Sequence, residues 1–413
     1  MMIKLITTKR LYLLLAFILL LMVALFFGNF AFVKANSGGY DFFAHWYATR
    51  IYIKDGVNPY SEISIARTAE AINQALEPAD NEEFRFTAPL FAIIPLTPFS
   101  LVGEFKVARA LWMTFQEVAW IAMVWLLSGQ LKIKKKTSVI LVLIILCGFS
   151  LPSISAILNG SQTLTALFFF VLAVSLITRQ SDEAAGLLLN FSLIKAELFY
   201  PGVLLLLIWA AIRGRKRIVG WFFGTFILLM GFSILLIPDW SISYLRVIIS
   251  HFGINPLEPL PSLDNPMTLR LTLLKNLVIT ILLILEWIVV RFQGKKKIIW
   301  NIGLLFTLLP WFGVGMHIEH TTLYLPAMII ITLLFLSTWN ERISFSILLL
   351  PIFLFILSWI FSGLFFSGIS IVLSRIILYV VQPLTILVFY YWVRWWVLRS
   401  EKFSIPSGIE NPS

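Results

Sequence analysis

Asp41 and His45 are four residues apart in the stretch Asp41-Phe-Phe-Ala-His45-Trp-Tyr-Ala-Thr-Arg50. On a helix that spacing puts the acid and the imidazole on one face. A carboxylate beside a histidine can take a proton from a hydroxyl, which is general-base chemistry. The stretch is rich in aromatic side chains, which favour a membrane–water boundary. It follows directly on the first long apolar run. Two plainer readings stand beside the catalytic one. Asp41 is also a good N-cap after Gly38-Gly39, and His45 could serve as an interfacial aromatic.

The elements that must hold these residues are apolar. Of 413 residues, 59% are hydrophobic and 13% charged. A soluble domain is nearer half apolar and a quarter charged. Runs of about 20 apolar residues recur along the chain, each long enough to cross a bilayer. The fold class expected is all-α, a polytopic integral membrane protein. The net charge of +11 does not mark a nucleic-acid partner. The basic residues cluster in short patches between apolar runs, as the positive-inside rule expects. The lone cysteine, Cys147, lies in an apolar run and reads as packing. The N-terminal run follows Lys4, Lys9 and Arg10. It is too long for a signal-peptide core, so it reads as a retained first helix.

That first helix is expected over Leu11–Val33, with its basic flank in the cytoplasm. A first outer loop then spans residues 34–87, and five basic against eight acidic residues between Lys34 and Arg85 suit the outer side. Ala88–Val102 carries Pro89, Pro95 and Pro98 and reads as a re-entrant or extra short segment. Further crossings are expected over Phe105–Leu127, Thr137–Leu158, Thr163–Thr178, Ala184–Ile194, Phe199–Ile212, Ile218–Ile237, Met267–Arg291, Ile298–Gly315, Thr321–Thr338, Ile343–Phe365 and Ile369–Val393. The expectation is about twelve transmembrane helices in one domain over residues 1–413, with a second large outer loop over 238–266.

Ionisable groups at membrane depth are costly and by default functional. With this topology Asp41, His45, Arg85, Lys195, Glu197, His251, Arg270, His317, Glu319 and His320 all fall near the outer surface. Lys195 and Glu197 are either an ordinary solvated turn or a functional pair in an apolar stretch. His317, Glu319 and His320 have a spacing that could bind metal, but they lack the His-Glu-x-x-His pattern, so no metal site and no cofactor is assigned. Asn159-Gly-Ser161 matches a glycosylation sequon and reads better as a turn. The sequence has no phosphate loop, dinucleotide fingerprint, nucleophile elbow or cysteine pair for zinc. It also lacks the Asp-x-Asp pair that nucleotide-sugar enzymes commonly use.

The order of motifs resembles glycosyltransferase family 87, in the GT-C superfamily of membrane glycosyltransferases. The likeness runs from Asp41-Phe with Trp46 and Tyr47, through Gly56-Val-Asn58-Pro59-Tyr60, Phe86-Thr-Ala-Pro89-Leu-Phe91, Gly160-Ser-Gln162-Thr and Ala185-Gly186 to Lys195, to Met316–Pro326. Ala88 stands where the family has a proline, and Ser161 is an insertion. The resemblance implies a GT-C-like enzyme of the cell membrane, multi-pass, with its site facing the extracytoplasmic side. It implies a polyprenyl-phosphate sugar as donor, mannose or arabinofuranose among known members, and a lipid-linked or glycan acceptor. It also implies Asp41 as base with a late histidine contributing, His320 fitting best and His317 next. A phosphate leaving group already in place needs only one carboxylate, so inversion is expected. Lys195, Arg85 or Arg270 would steady phosphate charge, and His45, Trp46 and Tyr60 would contact substrate. A transporter or lipid flippase, or a polysaccharide polymerase or ligase, are the competing readings.

Overall fold

The computed structural model describes residues 8–76, 84–130, 136–254, 266–290, 295–312, 318–338, 349–366, 373 and 376–399, and among these it contains helices and no strand. Apolar sequence dictates this, since a helix satisfies its own backbone where water is excluded. The chain is a polytopic all-α membrane protein. Six continuous helical stretches of the described residues are long and apolar enough to cross a bilayer, or seven if one bent pair forms a single span, although one of the six, Asp182–Ile212, folds back on itself. The about twelve crossings expected from sequence therefore exceed the helices of full membrane length. Several apolar helices have 17 residues or fewer. At 1.5 Å per residue they reach about 26 Å at most, against about 30 Å of hydrocarbon.

The contacts divide the chain into two compact units. The first comprises Met1–Ile121, Ala156–Thr165 and Leu229–Gly253. It opens with α1 (Thr8–Ala35), whose Leu15, Phe17, Leu19, Leu20 and Phe27 lie on the surface. Such a face belongs in lipid. The segment expected as the first outer loop contains two helices, α2 (Tyr40–Asp55) and α3 (Glu62–Ala75). The proline-rich stretch forms a 3₁₀ turn, Leu90–Ala92, and α4 (Ile93–Ser100). Together these residues, Leu90–Ser100, extend about 16 Å, half a bilayer. The start of α5 (Phe105–Ser128) and a later helix, α12 (Trp240–Ile254), complete this unit. The segment expected as the second outer loop is thus helical over Trp240–Ile254.

The second unit comprises Ala122–Ser155, Ala166–Leu228 and Ile254–Ser413. The run expected as a single crossing over Thr137–Leu158 is broken. Helices α6 (Lys136–Gly148) and α7 (Leu151–Asn159) meet at a bend of 59°. Pro152 supplies no N–H to the Gly148 carbonyl and would clash with it in a continuous helix. Ser150 and Ser153 hydroxyls, each 2.7 Å from Cys147 O, satisfy the carbonyl exposed by the break.

Helix α8 (Gln162–Thr178) is followed by α9 (Asp182–Ser192), a 3₁₀ turn Leu193–Lys195, and α10 (Ala196–Ile212). If Asp182–Ile212 were straight, its 31 residues would place its ends about 46 Å apart. Instead Asp182 pairs with Arg215, just beyond the C-terminal end. Glu183 likewise pairs with Arg217 at 3.2 Å. The stretch is a hairpin that turns at Leu193–Lys195. Helix α11 (Lys216–Leu236) returns beside α9, where Asn190 Nδ2 donates to Phe222 O at 3.1 Å.

The remainder packs α13 (Pro266–Val290), α14 (Lys295–Leu308), α15 (Tyr324–Thr338), α16 (Leu349–Phe366) and α17 (Gln382–Arg399). Helix α15 is buried almost throughout, against α14 and α17. Tyr390 locks this packing, donating to Ala327 O at 2.6 Å and accepting at its carbonyl the Trp300 Nε1–H at 2.8 Å.

Candidate active site

Asp41 lies in the first turn of α2, while the N-cap position belongs to Gly39. The capping role open to Asp41 on sequence grounds is therefore not the one it plays. Gly39 has φ of +81°, and a Cβ there would overlap the Arg109 side chain. Only glycine fits both the turn and the contact. The Asp41 backbone N–H faces Asn159 Oδ1 at 3.4 Å.

His45 is 1% exposed and its Nδ1 lies 3.2 Å from Asp41 Oδ1, while the acid keeps 21% of its side chain accessible. The same Nδ1 is 2.8 Å from Asp41 O. Both neighbours are acceptors, so Nδ1 carries a proton and donates it towards them. The other ring nitrogen, Nε2, faces Thr87 Oγ1 at 3.4 Å. Phe86 packs on the imidazole at 5.2 Å between ring centres. The geometry gives a carboxylate held beside a buried histidine while part of its side chain stays accessible, an arrangement compatible with a general base.

Three side chains of α5 hold the turn that carries Asn159. Arg109, Trp112 and Gln116 are spaced 3 and 4 apart in sequence, which aligns them on one helical face. Arg109 Nη2 donates to Leu158 O at 3.0 Å and Trp112 Nε1 to Gly160 O at 2.9 Å, and Gln116 Nε2 donates to Ser161 O. A second fork of Arg109 reaches Asn36 O at 3.1 Å, just before α2. One cation therefore ties both sides of the Asp41 region. Ser161, the departure from the family's Gly-Gln pattern, receives the Thr163 N–H on its Oγ at 3.3 Å. It so caps the start of α8. Sequence reasoning missed Arg109, Trp112 and Gln116; their polar periodicity in an apolar helix was the available signal.

Trp46 is buried and donates its indole N–H to Phe99 O at 3.0 Å. Tyr60 is delivered by a turn in which Asn58 Oδ1 accepts the Tyr60 N–H at 2.9 Å, and its hydroxyl donates to Ala88 O at 2.7 Å. Burial, with Tyr244 adjacent, holds the Tyr60 phenol well above its usual range. The group therefore remains a neutral donor. Both rings pack inside the unit. Arg85 is half-buried beside Phe86.

In the second unit Lys195 ends the hairpin turn, and its Nζ is 3.8 Å from Glu197 Oε1; these side chains are 14% and 23% exposed. That is too buried for an ordinary solvated turn. Helix α10 packs against the 3₁₀ turn Leu309–Trp311, which packs in turn against the 3₁₀ segment Ile318–Leu323. His320 sits in that segment, largely buried. Arg270 is exposed near the start of α13. His317 lies outside the described residues. The structure thus joins Asp41 directly to His45, and within the second unit the Leu309–Trp311 turn packs against α10, which follows Lys195, and against the segment that bears His320.

The family model of glycosyltransferase family 87 matches residues 86–309. The chain belongs to glycosyltransferase family 87. It is a membrane glycosyltransferase, which sets aside the carrier reading. The matched segment contains Lys195 and Arg270, together with Arg109, Trp112 and Gln116; Asp41, His45, Tyr60, Arg85 and His320 lie outside it. A search of curated proteins gives no significant match.

Proposed function

We propose that this glycosyltransferase moves a sugar, mannose-like or a pentofuranose, from a polyprenyl phosphate to a hydroxyl of a lipid-linked or glycan acceptor. Asp41 takes the acceptor proton as that oxygen attacks the anomeric carbon, and the polyprenyl phosphate leaves from the opposite face, inverting the configuration. The observation that carries this reading is the Asp41–His45 pair, in which the acid stays accessible while its partner is buried.

His45 supports the base by donating to it, which fixes the orientation of the carboxylate. The candidates for steadying phosphate charge are Lys195, His320 and Arg270 of the second unit and Arg85 of the first. The lipid-soluble bundle suits a donor that arrives through the membrane. Reaction on the extracytoplasmic side of the cell membrane follows from the acidic balance of residues 34–87 and the basic patches elsewhere. About twelve crossings would require the shorter apolar helices to span thinned bilayer.

The test is incubation of the purified protein with a panel of labelled polyprenyl-phosphate sugars and lipid acceptors. Transfer of label, stoichiometric release of polyprenyl phosphate and an inverted anomeric centre support the proposal. Label that moves only from nucleotide sugars, or retention of configuration, overturns it.

A further inference from the structure

His45 has two ring nitrogens, and the pairing with Asp41 uses one of them. Nδ1 faces Asp41 O and Asp41 Oδ1, both acceptors. In the neutral imidazole the proton therefore sits on Nδ1, and Nε2 is a bare acceptor. The ring is buried, and a buried acceptor needs a donor. Among the described residues that donor is the Thr87 hydroxyl, 3.4 Å from Nε2 and 42 residues away along the chain.

Thr87 is placed by its neighbours on both sides, all within the first unit. Phe86 is buried and packs on the His45 ring at 5.2 Å and on Tyr60 at 5.5 Å between ring centres. The Ala88 carbonyl accepts the Tyr60 hydroxyl at 2.7 Å. Pro89 follows and steers Ala88 away from helical backbone. With Phe86 and Ala88 both anchored, the hydroxyl between them has a fixed place. Its branched side chain is also stiff about the first torsion. This bears on the acid. Turned over in its plane, the imidazole would present carbon where Asp41 and Thr87 now meet nitrogen. Thr87 is satisfied in one ring orientation, the one that keeps Nδ1–H on Asp41.

We propose that Thr87 is a positioning residue of this glycosyltransferase and holds the His45 ring so that Nδ1–H stays on the Asp41 carboxylate. Thr87 Oγ1–H donates to Nε2, and Nδ1–H donates to the acid. No proton passes along this chain. Both residues act through where they hold the Asp41 oxygens, so Thr87 matters to turnover only if Asp41 is the base proposed above.

The full chain in detergent, with isotope-labelled histidine, reports the ring directly by nitrogen NMR, and His45→Gln assigns the signals. His45 Nε2 should give the resonance of an unprotonated nitrogen, shifted in Thr87→Val and retained in Thr87→Ser. Turnover is followed with labelled polyprenyl-phosphate mannose or arabinofuranose. Thr87→Val should lower kcat about five- to tenfold, the scale of one hydrogen bond. Donor and acceptor KM should change little, and Thr87→Ser should recover most of the loss. In a His45→Ala background Thr87→Val should cost nothing further, because residues that act through one contact are not additive. A protonated Nε2, or an Nε2 resonance that Thr87→Val leaves in place, overturns the proposal. So does a Thr87→Val loss as large in His45→Ala as in the wild type, and an inactive Asp41→Asn beside it would leave the base reading standing. Full activity of Asp41→Asn overturns both. If Thr87→Val does not fold, Thr87→Ala takes its place in every comparison.

Discussion

His45 Nδ1 lies 2.8 Å from the Asp41 carbonyl oxygen and 3.2 Å from Asp41 Oδ1, so one ring N–H serves both the backbone and the carboxylate four residues earlier. The acid is oriented by its own helix. Asparagine keeps the size of Asp41 but cannot take a proton. Asp41→Asn should fold, bind donor and lose at least about 10²-fold in turnover. Single-turnover kinetics with donor binding measured separately will show it. Full activity in this variant would remove Asp41 as the base. If His320→Ala alone abolishes turnover while donor binding holds, the histidine is the base.

His45 is assigned to positioning, since it is buried behind the acid. His45→Ala should lower kcat by between about tenfold and 10²-fold, the scale of a misplaced catalytic group. His45→Gln, which can still donate from its amide, should recover part of the loss. The acceptor KM should change little. A larger effect on KM than on kcat would show that His45 touches substrate.

Lys195 sits at the tip of the α9–α10 hairpin beside Glu197. Lys195→Ala should weaken donor binding by a few kcal/mol, in the range for loss of one partner of a buried charge pair. Lys195→Arg should rescue only in part, because the guanidinium is planar and wider. Direct binding of the polyprenyl phosphate donor measures both. Unchanged affinity in the alanine variant would make Lys195 a purely structural end of the turn.

A monophosphate donor needs no diphosphate clamp, and activity should survive chelators. Assay in EDTA decides this. If activity is lost and magnesium or manganese restores it, the expectation of a metal-free reaction fails.

Gly160 has φ of +74°, and a Cβ there would overlap the Phe42 side chain. Gly160→Ala should destabilise the protein by more than about 1 kcal/mol, because the residue can relieve neither the backbone strain nor the contact. The Asp41 region depends on the same turn through Asn159, so turnover should fall as well. A variant with wild-type melting and activity would show that the turn is not what holds α2.

Much of this protein is legible in one dimension because lipid imposes a simple rule. A chain with long apolar runs must form helices there, so the all-α class and the first helix at Leu11–Val33 could be read directly. The hairpin that turns at Lys195 was also visible, since a cation between two short apolar runs marks a place where the chain reverses. Helix period alone put Asp41 and His45 on one face. The segment expected as the first outer loop could be bounded by charge and its helix at Asp41 anticipated, but α3 was not separated from it, because the ends of both helices are set by the turns that flank them.

Sequence by itself determined the class, the order of motifs and the residue types that could do chemistry, because these depend on hydrophobicity and local spacing. Only the tertiary structure decided what each side chain does. Asp41 proved to lie inside the first turn of α2 because Gly39 takes the cap. Trp46 and Tyr60 spend their polar atoms on Phe99 O and Ala88 O. The bend at residues 149–150 depends on where the Pro152-broken helix finds its replacement hydrogen bonds. Arg109, Trp112 and Gln116 became visible as supports only when their acceptors, more than forty residues distant along the chain, came within reach. A buried polar group must find a partner, but its identity is a matter of which backbone carbonyl packing brings alongside, and no local pattern records that.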